Sequence, residues 1–262
     1  MSALHVDAPR ATLFGWLFVA AALAAGWSGA VRAAETYLIL SLIGDRFTVV
    51  TNEQQIGSNL DRHQHRVVSI TGSALDDFAV RVADATIAKA KPDASVTMLR
   101  SKDPTLYALG ETLADADVPD AKSLLPQLEG AFAGASDARL LLIAPLRTAP
   151  DLRTDRVHVG GGKAAGLGFY IDSNLALRSE KTNAIGRGFL GVFANFQLLI
   201  VDAKSNELVA RQRVTAGATY AAADSFDATP WNTLTDAQKM RALQSLLKSE
   251  IERVLPPMLT AK

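Results

Sequence analysis

The chain contains no cysteine. That excludes disulfides, thiolate zinc sites, a cysteine nucleophile and the acylated cysteine of a bacterial lipoprotein. Neither charge is in surplus: 27 Lys and Arg stand against 27 Asp and Glu. Without a basic excess there is no electrostatic drive toward nucleic acid or anionic lipid, and no nucleic-acid partner is expected. Histidine is scarce, at four residues. The sequence has no Gly-x-Ser-x-Gly elbow, no Walker spacing, no internal repeat and no low-complexity tract. An Ile43-Gly44-Asp45 element follows the first apolar run, but Arg46 stands where an SGNH-type esterase needs serine.

What is present is an ordinary globular composition, 48% hydrophobic and 21% charged over 262 residues. The N-terminus has the layout of a targeting segment. Arg10 precedes an apolar run from Leu13 to Ala25, and Val31-Arg32-Ala33 offers small residues where a signal peptidase reads. Residues 1–33 are therefore expected to be a signal peptide cut after Ala33. The competing reading is an uncleaved anchor in the inner membrane over residues 11–31, just long enough to span. Residues 34–262 are expected to form a single domain in the periplasm, with membrane contact only through the N-terminal segment if it is uncleaved.

The chain is read best from its late portion. Gly191–Val201 and Leu208–Val214 are strand-like runs joined by the turn formers Asp202 to Glu207. Together they predict a long β-hairpin. Val192, Ala194, Phe196, Leu198 and Ile200 share one face, and Phe193, Asn195, Gln197, Leu199 and Val201 the other. The mixture of amides and apolar residues predicts a half-covered second face. Arg211 and Arg213 are expected to point to water.

Earlier, Thr36–Ile43 and Arg46–Thr51 flank Gly44-Asp45 and predict a first hairpin, with Leu38–Ile43 a central strand covered on both faces. Val67–Ile70 is a short strand. Ser73 and Asp76 match a capping pattern before a helix that Pro92 stops. A strand over Ser95–Arg100, a short helix around Thr105–Leu113, a helix over Asp120–Phe132 and a buried strand over Arg139–Ala144 follow. Thr148–Lys163 reads as a loop, Leu167–Asp172 as a short strand and Arg178–Gly188 as a connection. Thr235 and Gln238 form a capping box for a terminal helix. Its apolar stripe includes Leu243, Leu247, Ile251 and Val254, its water face includes Lys239 and Lys248, and Pro256-Pro257 ends it. The order predicts an α/β (α+β) sandwich: a mixed β-sheet with a long late hairpin, helices packed on it and a C-terminal helix.

Few residues carry chemistry. His63 and His65 would share a face on a strand, and with Asp61 or His158 they suggest a ligand or metal site. Their polar surroundings favour solvated histidines, so neither a metal nor a cofactor is expected. Gly160-Gly161-Gly162-Lys163 offers backbone N–H groups to an anion but lacks a following Ser or Thr. Arg211, Arg213 and Trp231 are candidates for a partner surface.

The segment Phe196-Gln197-Leu198-Leu199-Ile200-Val201-Asp202 with its Lys-Ser-Asn-Glu turn, the leader, the mixed sheet and the terminal helix resemble the periplasmic α/β domains of the TolB N-terminal, CsgG and LpoB kind. The resemblance implies a domain that binds envelope proteins or cell-wall components and performs no chemistry. A periplasmic hydrolase or small-ligand-binding protein is the alternative. Fusing residues 1–40 to a reporter active only outside the cytoplasm is expected to give signal, and a silent fusion would rule out export by this segment.

Overall fold

In the computed structural model the described residues are 35–44, 46–52, 64–70, 72–115, 137–153, 158–178, 185–221 and 229–260. The leader at 1–33, the expected helix Asp120–Phe132, and Asp61 and His63 lie outside them.

The first strand, β1 (Thr36–Ser41), is an apolar run buried on both faces. It takes a parallel partner on each edge, β4 (Ser95–Met98) and β5 (Arg139–Pro145). A strand with neighbours on both edges and layers on both faces has no polar face, which is why its sequence is nearly continuous in Leu and Ile. The next strand, β2 (Arg46–Asn52), does not pair with β1. It pairs antiparallel with β3 (Gln64–Ser69) and parallel with β9 (Ala164–Arg178). The expected first hairpin is thus absent.

The long hairpin explains the difference. Strand β10 (Ile185–Asp202) runs antiparallel to β11 (Glu207–Ala221) over nearly its whole length. Its other edge is shared. Asp202 to Phe196 pair with β5, and Asn195 to Ile185 pair with β9. Since β5 and β9 are both antiparallel to β10, they lie end to end and run the same way. Strands β1 and β2 lie beside them in the same tandem arrangement. Gly44, at φ +89°, therefore shifts the chain from one half of the sheet to the other without reversing it. Strand β9 is also much longer than expected, because it spans the whole second half. Close approach there depends on Gly168, where an added Cβ would sit 2.1 Å from the Thr48 carbonyl oxygen of β2.

Where the two halves meet, the ladder breaks, and buried side chains replace it. Asn195 donates to the carbonyls of Thr148 and Ala164, both at 3.0 Å. Gln197 donates to those of Leu113 at 2.8 Å and Pro145 at 3.2 Å. Its own oxygen accepts from Arg211 Nε and Nη2, at 2.9 and 2.7 Å. The face expected to be half covered is fully buried at both amides. Arg211 accordingly turns inward to Gln197, while Arg213 remains exposed.

Among the described residues three α-helices cover the sheet. Helix α1 (Ala74–Ala90) and helix α3 (Asp236–Met258) lie on one face, over Tyr37, Ile39, Ile143, Phe196 and Leu198. Helix α2 (Pro104–Asp115) lies on the other, over Leu38, Leu40, Leu142 and Leu199. Short strands β6 (Arg147–Thr148), β7 (Leu152–Arg153) and β8 (His158–Val159) follow β5, and Leu152 and Val159 cover a third cluster with Tyr170, Phe189 and Phe193. No described helix is long and apolar enough to cross a membrane.

The terminal helix starts as expected, with Thr235 and Gln238 capping reciprocally. Two details differ. Lys239 is buried, its ammonium 3.9 Å from the centre of the Trp231 ring and 3.1 Å from Asp236 Oδ1. A cation over an indole face, with its methylene stem packed, explains a lysine inside. The helix also runs through Pro256 and Pro257 to Met258. Their ring-fixed φ is helical, and Glu252 and Arg253, the residues four back, are exposed, so water can take the freed carbonyls.

Leu247 is fully buried at mid-helix. Leu247→Ala is expected to cost about 2–5 kcal/mol. Lys248→Ala removes only a solvent-exposed pair with Glu252, and is expected to change stability by less than about 0.5 kcal/mol. Denaturant melts of the two variants check both values.

Candidate functional site

The junction between the two halves of the sheet also organises a groove. Strand β1 ends at Ser41, Leu42 to Gly44 carry the chain across, and β2 begins at Arg46. Helix α1 starts beside this crossing and sends Asp76 from its first turn into it. Asp76 is only 6% exposed. Its Oδ1 accepts from Ser41 Oγ at 2.6 Å and from the Gly44 N–H at 3.1 Å. Its Oδ2 accepts from the Tyr107 hydroxyl of α2 at 2.8 Å. The capping role expected for Ser73 is not played by its side chain, which makes no cap hydrogen bond. The acid of that pattern is instead drawn inward to tie β1, the crossing and α2 together.

Beyond the carboxyl ends of the neighbouring strands β1 and β4 two helices part: α2 follows β4 on one face, while α1, on the other face, begins beside the crossing from β1 to β2. Such a divergence at the C-terminal ends of parallel strands opens a crevice. Here it is a groove of about 680 Å³ lined by Arg46, Gly72, Ser73, Ser101, Lys102, Pro104, Tyr107, Ala108 and Glu111. A smaller hollow of about 200 Å³ shares Arg46 and Glu111 and adds His65, Pro145, Arg147 and Gly166. Arg147 lies 3.5 Å from Glu111 and 2.8 Å from Asp115.

Ser41 donates to a buried carboxylate and is only 3% exposed, so this trio clamps the crossing and presents no accessible nucleophile. The electrostatic character of the groove is that of its rim. Arg46 and Lys102 are exposed there and have no carboxylate partner among the described residues.

The residues singled out from sequence are dispersed. His65 is exposed on β3 and lines the smaller hollow. His158 is exposed on β8, with Nδ1 3.3 Å from Asp151. Its strand partner Arg153 accepts through its carbonyl from Thr219 of β11. Strands β3 and β11 form opposite margins of this half of the sheet, so His65 and His158 do not converge. No group of three or more possible metal ligands occurs among the described residues. Gly160 and Gly162 have φ of +90° and +76°, and the Gly161 N–H donates to the Tyr170 hydroxyl at 3.0 Å. That donor is already engaged, and Lys163 is exposed beside the loop. Trp231 stands edge-on to Phe169, 5.4 Å between ring centres, and pins its loop to the core. It also lines an apolar groove of about 340 Å³ with Phe47, Val68, Ile70, Phe169 and Met240. The bonds of Asp76 to Ser41 and Tyr107, and the place of Lys102 in the groove, escape a reading by motif, because the residues concerned are far apart in sequence.

No family model matches the chain, and no curated protein does. Among solved structures it is similar to a DUF330 family protein from Xanthomonas campestris, at 8% identity and a TM-score of 0.35, over 86% of this chain and 83% of that one. It is likewise similar to a homolog of neuraminyllactose-binding hemagglutinin from Helicobacter pylori, at 7% identity and a TM-score of 0.34, over 86% and 80%. A Chlamydia trachomatis protein matches at 10% identity and a TM-score of 0.36, over 88% and 100%. Likenesses at these scores carry no argument about function.

The clamp has a pH signature. Burial raises the Asp76 carboxyl above the ordinary aspartate value of 3.8, against the opposing bonds from Ser41, Tyr107 and Gly44. The folded state then holds this proton more tightly than the unfolded state. The stability that follows is fully present below 3.8 and is lost as pH rises through the raised folded value. Glu35 has the opposite sign. Burial raises it, but Lys91, Tyr37 and Arg139 together outweigh burial and hold it below 4.5. Its contribution is present above 4.5 and lost as pH falls through the depressed folded value. Urea melts at a series of pH values are expected to show wild type losing stability relative to Asp76→Asn as pH rises from 3.8. A pH-independent difference would contradict this assignment.

Proposed function

We propose that the chain is an exported envelope protein that works by contact with another envelope protein, without chemistry of its own. The apolar leader supports export. The observation that carries the contact reading is β3. It pairs only with β2, and among the described residues no strand lies on its outer edge. Nearly every residue in it is exposed, and Val67 is 59% exposed. Natural edge strands are usually blunted by charge, proline or a covering element. His65 and Arg66 blunt this one in part, but Val67 sits bare between them and Val68.

On the opposite face of the same strand, Val68 and Ile70 open onto the apolar groove with Phe47 and Trp231. An open edge offers backbone hydrogen bonds, and a flanking apolar groove offers pockets for alternate side chains. That combination suits the addition of an extended segment from a partner protein. Trp231 thus joins the partner surface as a groove wall, in keeping with the enrichment of aromatics at interfaces.

A photo-crosslinking residue placed at Val67 is expected to capture one envelope protein in intact cells. The same residue at Lys204, in the exposed turn of the long hairpin, is expected to capture none. With the photo-crosslinking residue moved to the exposed neighbour Arg66, Val67→Asp should abolish the capture and shift stability by less than about 0.5 kcal/mol, as for an exposed position. Equal capture from both positions would refute the contact at β3, and cell-wall fragments captured at position 67 would move the reading to the wall.

A further inference from the structure

We propose that the groove at the junction of the two half-sheets is a binding site for a small oxyanion, a phosphate or carboxylate group held between Arg46 and Lys102. The groove has the size of a ligand cleft, about 680 Å³. Its two cations come from separate elements, Arg46 from the start of β2 and Lys102 from the segment leading into α2. Both line the same space, and neither has a carboxylate partner among the described residues. The acid on the same wall, Glu111, already faces Arg147 at 3.5 Å, so it does not neutralise them.

The floor is held rigidly. Asp76 fixes the Gly44 backbone on one side and the Tyr107 hydroxyl on the other. Arg46 lies against Gly44, with its Nε 3.5 Å from the position a Cβ would take there. A guanidinium presents a planar fork of donors that suits two oxygens of one anion, and an ammonium adds a point charge. On the α1 side, an added Cβ at Gly72 would meet nothing within 4 Å, so that rim is bare backbone and leaves room for the group that carries the anion. The position, at the carboxyl ends of β1 and β4 where the connections part, is where open α/β sheets place their ligands. The site is independent of the contact at β3: it asks for a charged group, where β3 asks for an extended chain.

The test is a titration of the isotope-labelled full chain with inorganic phosphate, and separately with acetate, at ionic strength held constant with chloride. Phosphate or acetate is expected to shift the amides of Gly44, Ser73, Lys102 and Tyr107 along saturable curves. A response to phosphate alone assigns the site to phosphorylated molecules, and a response to acetate alone assigns it to carboxylates. Arg46→Gln and Lys102→Gln are each expected to weaken binding at least about tenfold, the loss of a charge-assisted bond. Lys248→Gln, a lysine of α3, should leave it unchanged. Both substituted residues are exposed, so folding is preserved and a full spectrum verifies it. The proposal is overturned if chloride alone gives the same shifts, if the shifts spread over basic residues across the surface, or if the double variant titrates like wild type.

Discussion

A broken hydrogen-bond ladder inside a protein must be closed by something other than water. That constraint governs this fold. Strand β10 is long enough to serve two shorter strands in tandem, and where β5 stops and β9 starts the backbone groups lose their regular partners. Buried carbonyls without donors cost more than any single hydrogen bond contributes, because their lost hydration is not recovered. Asn195 and Gln197 project from the middle of β10 and bond to three strand carbonyls there, those of Pro145, Thr148 and Ala164, and to the Leu113 carbonyl in the last turn of α2. Asp76 performs the matching task one strand farther out, accepting the Gly44 N–H where β1 passes into β2. The polar residues at the centre of the protein therefore follow the line of the break.

The same line accounts for the groove. A continuous sheet has no opening in its middle. Here the chain steps sideways at Leu42–Gly44 and helices α1 and α2 depart to opposite faces, so a hollow forms where the halves meet, with Arg46 and Lys102 at its rim. The outer margin of one half is, among the described residues, an open strand. Junction and margin thus provide two surfaces of different chemistry, one charged and concave, the other an extended apolar edge.

Much of this was legible in the chain. The hairpin is plain because alternation and a turn-forming loop agree over many residues, and the terminal helix because capping box and apolar stripe agree as well. Local consistency of that kind survives folding. What was hidden depends on distant partners. Gly44-Asp45 between two apolar runs has the local form of a hairpin turn, and nothing nearby reveals that β2 continues in the direction of β1. Asn195 and Gln197 look like a wetted face, since the broken ladder they serve is contributed by residues far earlier in the chain. Asp76 fits a capping pattern by spacing, and only Ser41 and Tyr107 show where it goes. Lys239 has the spacing of a water-facing residue until Trp231 is placed over it. For the ligand site no motif existed to read, because Arg46, Lys102 and Glu111 meet only through topology.

Strand β10 also sets the order in which the molecule can form. The strands on its shared edge, β5 and β9, and the β1 and β2 that pair with them are synthesised first, and only β11 follows. A ribosome adding about 5–20 residues per second needs on the order of ten seconds between Ser41 and Gln197. Throughout that interval the two half-sheets have no common strand and cannot be joined. Pairings this far apart in sequence are also slow to close once the chain is complete. The two half-sheets can thus be joined into one only after the last third of the chain has emerged, although β1, β4 and β5 can pair among themselves before it.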